Sequence, residues 1–155
     1  MKIVIVTGGF DPIHSGHLAY FKAAKTLGDM LVVGLNSDAW LTRKKGRPFM
    51  PMSERYALVN ALSMVDEVVI YNDNDNSSCD AIRKVKESYP NSEIIFANGG
   101  DRTKDNIPEM IFDDVEFVFG VLGVKTRKTA QVGFSKIGKS LKQTAPGDTT
   151  VCYTK

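Results

Sequence analysis

The sequence predicts a doubly wound α/β domain, a parallel five-stranded sheet with helices on both faces. Three observations carry that expectation. Apolar runs of strand length recur at residues 3–6, 30–35, 67–71, 93–97 and 115–118. Several are apolar throughout instead of alternating, as in strands covered on both faces. Stretches of helical period lie between the runs, and alternating strand and helix is solved by a right-handed parallel sheet.

The elements follow in order. The first run ends in a turn, Gly8-Gly9-Phe10-Asp11-Pro12, which opens into a helix over 17–27. Leu18, Phe21, Ala24 and Lys25 share its spacing, and Gly28 reads as its C-cap. Residues 43–51 and 72–77 read as surface loops. A helix over 53–64 takes Ser53 as its N-cap. Another over 78–89 stops before Pro90. A weaker, basic helix is expected over 134–143, ahead of Pro146-Gly147. With no internal repeat or low-complexity linker, the expectation is one domain over 1–143 and a tail over 144–155.

Composition bounds the function. The chain has 155 residues, 43% hydrophobic and 25% charged, with a formal net charge of +2. That charge is too small to argue for nucleic acid as a partner. It is unevenly spread: Lys125, Arg127, Lys128, Lys136, Lys139, Lys142 and Lys155 face one acid, Asp148, after Gly120. Such a segment would clamp an anion or form a solvated tail. Cys79 and Cys152 lack metal-ligand spacing and suit a reducing cytoplasm. Met1-Lys2 leads directly into a strand, which leaves no room for a signal peptide, and no run is long enough to span a membrane. A cytoplasmic protein is expected.

Both histidines stand in one tetrapeptide, His14-Ser15-Gly16-His17, at the first strand-to-helix turn. In doubly wound sheets ligands bind at the carboxyl ends of strands where the winding reverses. The fourth strand ends there too, in Asn98-Gly99-Gly100-Asp101. Glycines at both ends would let backbone amides approach a phosphate or ribose, or would simply serve tight turns. Free amides of the helix's first turn and its dipole favour an anion. Gly16 leaves room beside them, and two imidazoles can donate to phosphate oxygens. No serine–histidine–acid arrangement is evident, which disfavours a nucleophile. A zinc site from His14, His17 and Asp11 would have unusual geometry, and no metal ligand is assigned. A purely structural histidine pair is the other alternative.

The stretch from Gly8 to His17 resembles the signature of the cytidylyltransferase-like nucleotidyltransferases. That superfamily includes glycerol-3-phosphate cytidylyltransferases, heptose-1-phosphate adenylyltransferases and phosphopantetheine adenylyltransferase. Leu31 to Asp38 resembles the second strand of that family, Lys44-Lys45-Gly46-Arg47-Pro48 its basic loop, Met52-Ser53-Glu54-Arg55-Tyr56 the segment with its arginine, and residues 65–68 its third strand. The likeness covers residues 1–124. It implies a Rossmann-like fold and a reaction: a triphosphate binds with Mg2+, a phosphate oxygen of an acceptor attacks the α-phosphorus, and pyrophosphate leaves. It further implies that His14 and His17 contact triphosphate oxygens. Gly8, Gly9, Phe10 and Gly16 would surround the phosphates, and Asp11 would order the turn or the metal. Lys44 would bridge both substrates, with Arg47 (or Lys45) and Arg55 near the acceptor. Asn98, Gly99 and Asp101 would lie along ribose and base. Without the histidines, the basic loop would read as an exposed charged face, and Arg55 as a surface residue of an amphipathic helix.

The chain departs from the family at its second signature. Lys125-Thr126 stands where Arg-Thr is usual, and Gly133-Phe134-Ser135-Lys136 matches the rest only with an insertion. Lys125, Thr126 and Ser135 are the expected triphosphate contacts. Residues 133–140 also satisfy the P-loop pattern, but no apolar strand leads into them, so that reading is set aside. Dinucleotide binding is disfavoured because the first turn lacks Gly-x-Gly-x-x-Gly. The expected substrates are CTP, or ATP in the alternative, and a small phosphorylated alcohol or sugar; Gly46-Arg47-Pro48 and Gly99-Gly100-Asp101 resemble the heptose-phosphate branch. A non-catalytic nucleotide-binding module is the competing class. A homodimer is implied by the family alone.

Overall fold

The computed structural model describes residues 1–100 and 102–121. Its elements are β1 (Lys2–Gly8), α1 (Ser15–Lys25), β2 (Met30–Leu35), α2 (Asp38–Lys45), α3 (Met52–Asn60), β3 (Glu67–Ile70), α4 (Cys79–Ser88), β4 (Glu93–Gly99), a 3-10 turn (Pro108–Ile111) and β5 (Val115–Val121). The strands form one parallel sheet in the order β3-β2-β1-β4-β5. The chain winds outward from β1 through β2 to β3, then returns to β4 on the other side of β1. The winding therefore reverses between β1 and β4.

Strand alternation sorts the core into two layers. Val4 and Val6 face one side with Phe21, Ala24 and Val59, so α1 and α3 cover it. Ile3 and Ile5 face the other with Ile82, Val85, Ile94 and Phe96, so α4 covers that face. Residues 3–6 of β1 have no exposed surface, which explains why they carry no polar residue.

Three local expectations are corrected. The helix α1 ends at Thr26 in ordinary αR geometry, so Gly28 is no C-cap. Gly28 is needed because a Cβ there would stand 2.8 Å from the Lys2 carbonyl oxygen and 2.8 Å from Val4. The helix α3 begins at Met52 after Pro51, not at an Ser53 cap, since Pro51 presets the extended entry. Residues 38–45, partly read as loop, form α2, capped by Ser37 Oγ accepting from the Trp40 amide and ended by Gly46 at φ 92°. The expected helix over 134–143, the P-loop-like run and the tail over 144–155 lie outside the described residues.

Candidate active site

The site grows from the turn between β1 and α1. Phe10 adopts φ 47°, a left-handed conformation that costs a non-glycine residue energy. Its buried ring holds it there, edge-on to His17 at 5.1 Å and to Phe21 at 4.8 Å. The glycines before it are explained by the protein's own packing. A Cβ on Gly8 would come within 3.0 Å of the Phe10 ring, and one on Gly9 within 2.8 Å of Leu41 in α2. Gly99 likewise makes room for Tyr20, whose hydroxyl donates to the Ala97 carbonyl at 2.6 Å.

The histidines start the helix. His14 is the N-cap of α1: its Nδ1 accepts from the Gly16 amide at 3.0 Å, while its own amide donates to His17 Nδ1 at 3.3 Å. This is a capping box built from imidazoles instead of a hydroxyl and a carboxylate. The rings stack with centroids 3.8 Å apart. A nitrogen that accepts from an amide carries no proton, so each neutral ring keeps its hydrogen on Nε2 as a donor. Burial holds the His14 imidazole below its usual pKa, which also favours the neutral form. The expectation of free first-turn amides is corrected here. The Gly16 amide is taken by His14 Nδ1 and the His17 amide by the His14 carbonyl at 3.0 Å.

Two further residues lock the turn. Asp11 accepts from the amides of Phe49 at 2.7 Å and Met50 at 2.6 Å, and pairs with Lys45. Burial would push its carboxyl up, but Lys45 and the two amides outweigh that and hold it below the ordinary value. Asp11 therefore orders the turn. Arg55 is wholly buried. Its Nε donates to the Met50 carbonyl at 3.0 Å, Nη1 to the carbonyls of Gly9 at 3.0 Å and Asn36 at 2.8 Å, and Nη2 to Asp38 at 2.6 Å. It is neither a surface residue of an amphipathic helix nor aimed at an acceptor; it clasps the turn, β2, α2 and the following loop together.

The basic loop divides by task. Lys45 is held by Asp11, and Arg43 donates to the Asp73 carbonyl at 2.8 Å. Lys44 is exposed, its Nζ 5.3 Å from the Trp40 ring centroid, and Arg47 is exposed beyond α2. The helix α2 packs Leu41 on Gly9, so Lys44 is carried by an element seated on the histidine turn. Asn98 is buried, with Nδ2 lacking a partner. The structure thus brings together Gly8, Gly9, Phe10, Asp11, His14, Gly16 and His17, with Arg55 clasped beneath. Asp101, Lys125, Thr126 and Ser135 lie outside the described residues. Sequence reasoning missed the buried Asp73, which accepts from Asn36 Nδ2 at 3.0 Å and from Ser37 Oγ at 2.6 Å and ties the ends of β2 and β3.

Fold and site define a nucleotidyltransferase-type α/β domain with its histidine turn at the switch point. The cytidylyltransferase-like family model matches residues 5–134, and the chain belongs to that family. It is 40% identical to the bifunctional protein HldE of Pelobacter propionicus over 108 residues, 68% of this chain and 20% of that protein. Against HldE of Helicobacter pylori (strain Shi470) the identity is 48% over 112 residues, 66% of this chain and 24% of that protein. The chain thus spans about a fifth to a quarter of these relatives. It also resembles the crystal structure of the lipopolysaccharide core biosynthesis protein from Thermoplasma volcanium GSS1, with TM-score 0.60 and 27% identity, covering 77% of this chain and 95% of that one. Among the described residues no helix is long and apolar enough to cross a membrane.

Proposed function

We propose that this protein transfers a nucleotidyl group from a nucleoside triphosphate to a small phosphorylated sugar or alcohol. An oxygen of the acceptor phosphate attacks the α-phosphorus in line. The new phosphorus–oxygen bond forms as the bond to the bridging oxygen breaks, and pyrophosphate leaves with that electron pair. The observation that carries the reading is the pair of reciprocally capped histidines at the β1–β4 switch point of a family member. Their Nε2–H groups are preorganised donors of the kind that stabilise charge developing on phosphate oxygens. Both act as neutral donors, so the role needs no imidazolium.

In the basic loop Lys44 and Arg47 are the exposed cations left to meet the acceptor, since Lys45 is held by Asp11. The described residues offer no group of three or more His, Cys, Asp or Glu side chains for a cation, and both Asp11 oxygens are already bonded. Mg2+ is expected to arrive with the triphosphate, and no step above depends on a protein ligand for it.

The resemblance of Gly46-Arg47-Pro48 to the heptose-1-phosphate adenylyltransferases favours a sugar phosphate as acceptor and ATP as donor, and the likeness to a lipopolysaccharide core biosynthesis protein agrees with a sugar as acceptor. The family takes in cytidylyltransferases as well as adenylyltransferases, so CMP transfer from CTP to a phosphorylated alcohol is the second reading. The test is pyrophosphate release with magnesium, crossing four triphosphates with sugar 1-phosphates, glycerol 3-phosphate, phosphocholine, phosphoethanolamine and phosphopantetheine. Release that requires one triphosphate and one acceptor supports transfer and names both substrates. Triphosphate binding without release from any pair would leave a non-catalytic binding module.

A further inference from the structure

We infer that the acceptor site extends onto the α4 face of the sheet's carboxyl edge, where Thr7, Tyr71, Ser78, Asn98 and Glu109 take the hydroxyl groups of a sugar phosphate. The inference deepens the transfer reading and rests on it for the acceptor's phosphate. It starts from two side chains that the rest of the fold does not explain. Asn98 and Glu109 are 3% and 1% exposed, and Asn98 Nδ2 and Glu109 Oε2 have no hydrogen-bond partner. Buried polar atoms are nearly always satisfied, so a donor and an acceptor both left over ask for an occupant.

The two belong to one place. Along β1, Ile3 and Ile5 face α4, and Thr7 continues that row. Along β4, Ile94 and Phe96 face α4, and Asn98 continues theirs. Thr7 Oγ1 lies 2.8 Å from Ser78 Oγ at the start of α4, and the Tyr71 hydroxyl lies 3.2 Å from the same oxygen. Glu109 Oε1 accepts from the Ser78 amide at 2.5 Å, which fixes its carboxylate against this group. Glu109 is carried by the 3-10 turn Pro108–Ile111, outside the strands of the sheet.

The chemistry selects the ligand. As a carboxylate oxygen Glu109 Oε2 offers lone pairs, and Asn98 Nδ2 donates only. A hydroxyl does both, and a chain of hydroxyls can answer the pair together with the Thr7, Ser78 and Tyr71 oxygens. A trimethylammonium group can do neither. Sites built to bond a hydroxyl discriminate strongly against analogues lacking it. The position suits an acceptor, because the cluster borders the β1–β4 edge from the face opposite α1 and its histidines.

The test is calorimetry on the full chain holding a non-hydrolysable triphosphate analogue, titrated with glucose, mannose and heptose 1-phosphates and with phosphocholine. The wild type should bind at least one sugar phosphate tenfold or more tighter than phosphocholine. Glu109→Gln keeps an oxygen for the Ser78 amide but turns the other atom into a donor, and should weaken that binding tenfold or more, with the analogue's affinity unchanged. Asn98→Leu should weaken sugar-phosphate binding tenfold or more as well, and melting curves confirm that each variant is folded. Sugar phosphates that bind no better than phosphocholine, or variants that bind them like the wild type, overturn the inference. Pyrophosphate release is read in parallel. Release by a wild type whose variants are unaffected refutes this pocket and leaves transfer standing; binding that the variants weaken, without release from any pair, refutes transfer and leaves the pocket.

Discussion

Replacing Arg55 by Met should unfold the protein far more readily than a surface substitution would. The side chain has no exposed surface, and its four hydrogen bonds of 2.6–3.0 Å serve the carbonyls of Gly9, Asn36 and Met50 and the carboxylate of Asp38. Asp38 is 43% exposed and can turn to water, so most of the cost falls on the three carbonyls. Breaking a buried charged cluster from one side costs about 3–5 kcal/mol, a large part of the roughly 5–15 kcal/mol that holds a domain together. For a chain of this size that lowers the melting temperature by roughly 6–20 °C. Arg55→Lys should fall between, because one ammonium cannot span four acceptors in a planar fork. The assay is thermal and urea unfolding of wild type and both variants. A loss within about 0.5 kcal/mol, the range of an ordinary surface change, would refute the clasp. If the acceptor KM rose while stability held, Arg55 would belong to the acceptor instead.

Four other outcomes are expected. His14→Ala and His17→Ala should each lower turnover on the order of a hundredfold, as losing one preorganised donor does. His14→Asn should restore the cap, worth about 1 kcal/mol, without restoring turnover; full turnover in both alanine variants would remove the histidines from the mechanism. The lowered pKa of His14 sets a sign. Its stabilising contribution is complete above the ordinary imidazole pKa and is lost as pH falls through the lower folded value, so His14→Asn should flatten the acid limb of a stability–pH curve. Asp11→Ala should free the amides of Phe49 and Met50 and speed proteolysis between Gly46 and Pro51, and an unchanged cleavage pattern would contradict its role. Lys44→Ala should raise the acceptor KM and leave the melting temperature unmoved, since the side chain is exposed; unchanged kinetics would shift the task to Arg47.

The strands were legible because strands buried on both faces leave continuous apolar runs, and all five runs fall within observed strands or one residue beyond them. The switch point was legible because the runs ending in Gly8-Gly9 and in Asn98-Gly99 proved to be neighbours. The helix α2 was missed because only Leu41 of its eight residues is buried, leaving almost no apolar period. Its caps, Ser37 and Gly46, were the signal that could have found it. Arg55 was misread for a different reason. A lone arginine in an amphipathic helix looks solvated, and only tertiary structure shows three backbone carbonyls converging on it. The glycines read either as room for a ligand or as turn residues, and Phe10, Leu41 and Tyr20 fill the room on the Cβ side. Gly16 shows the limit of motif reading most directly: its amide, expected for an anion, serves His14 Nδ1 and so fixes which imidazole nitrogen is left to donate.

The most direct test of the central claim is transfer of an α-phosphate label from ATP or CTP to a phosphorylated acceptor, in wild type and in His14→Asn. The account expects labelled nucleotidyl–acceptor and unlabelled pyrophosphate in equal amounts from the wild type, and a hundredfold slower transfer from a folded variant. Label that stays on the nucleotide with every acceptor, or moves equally fast in the variant, would contradict it.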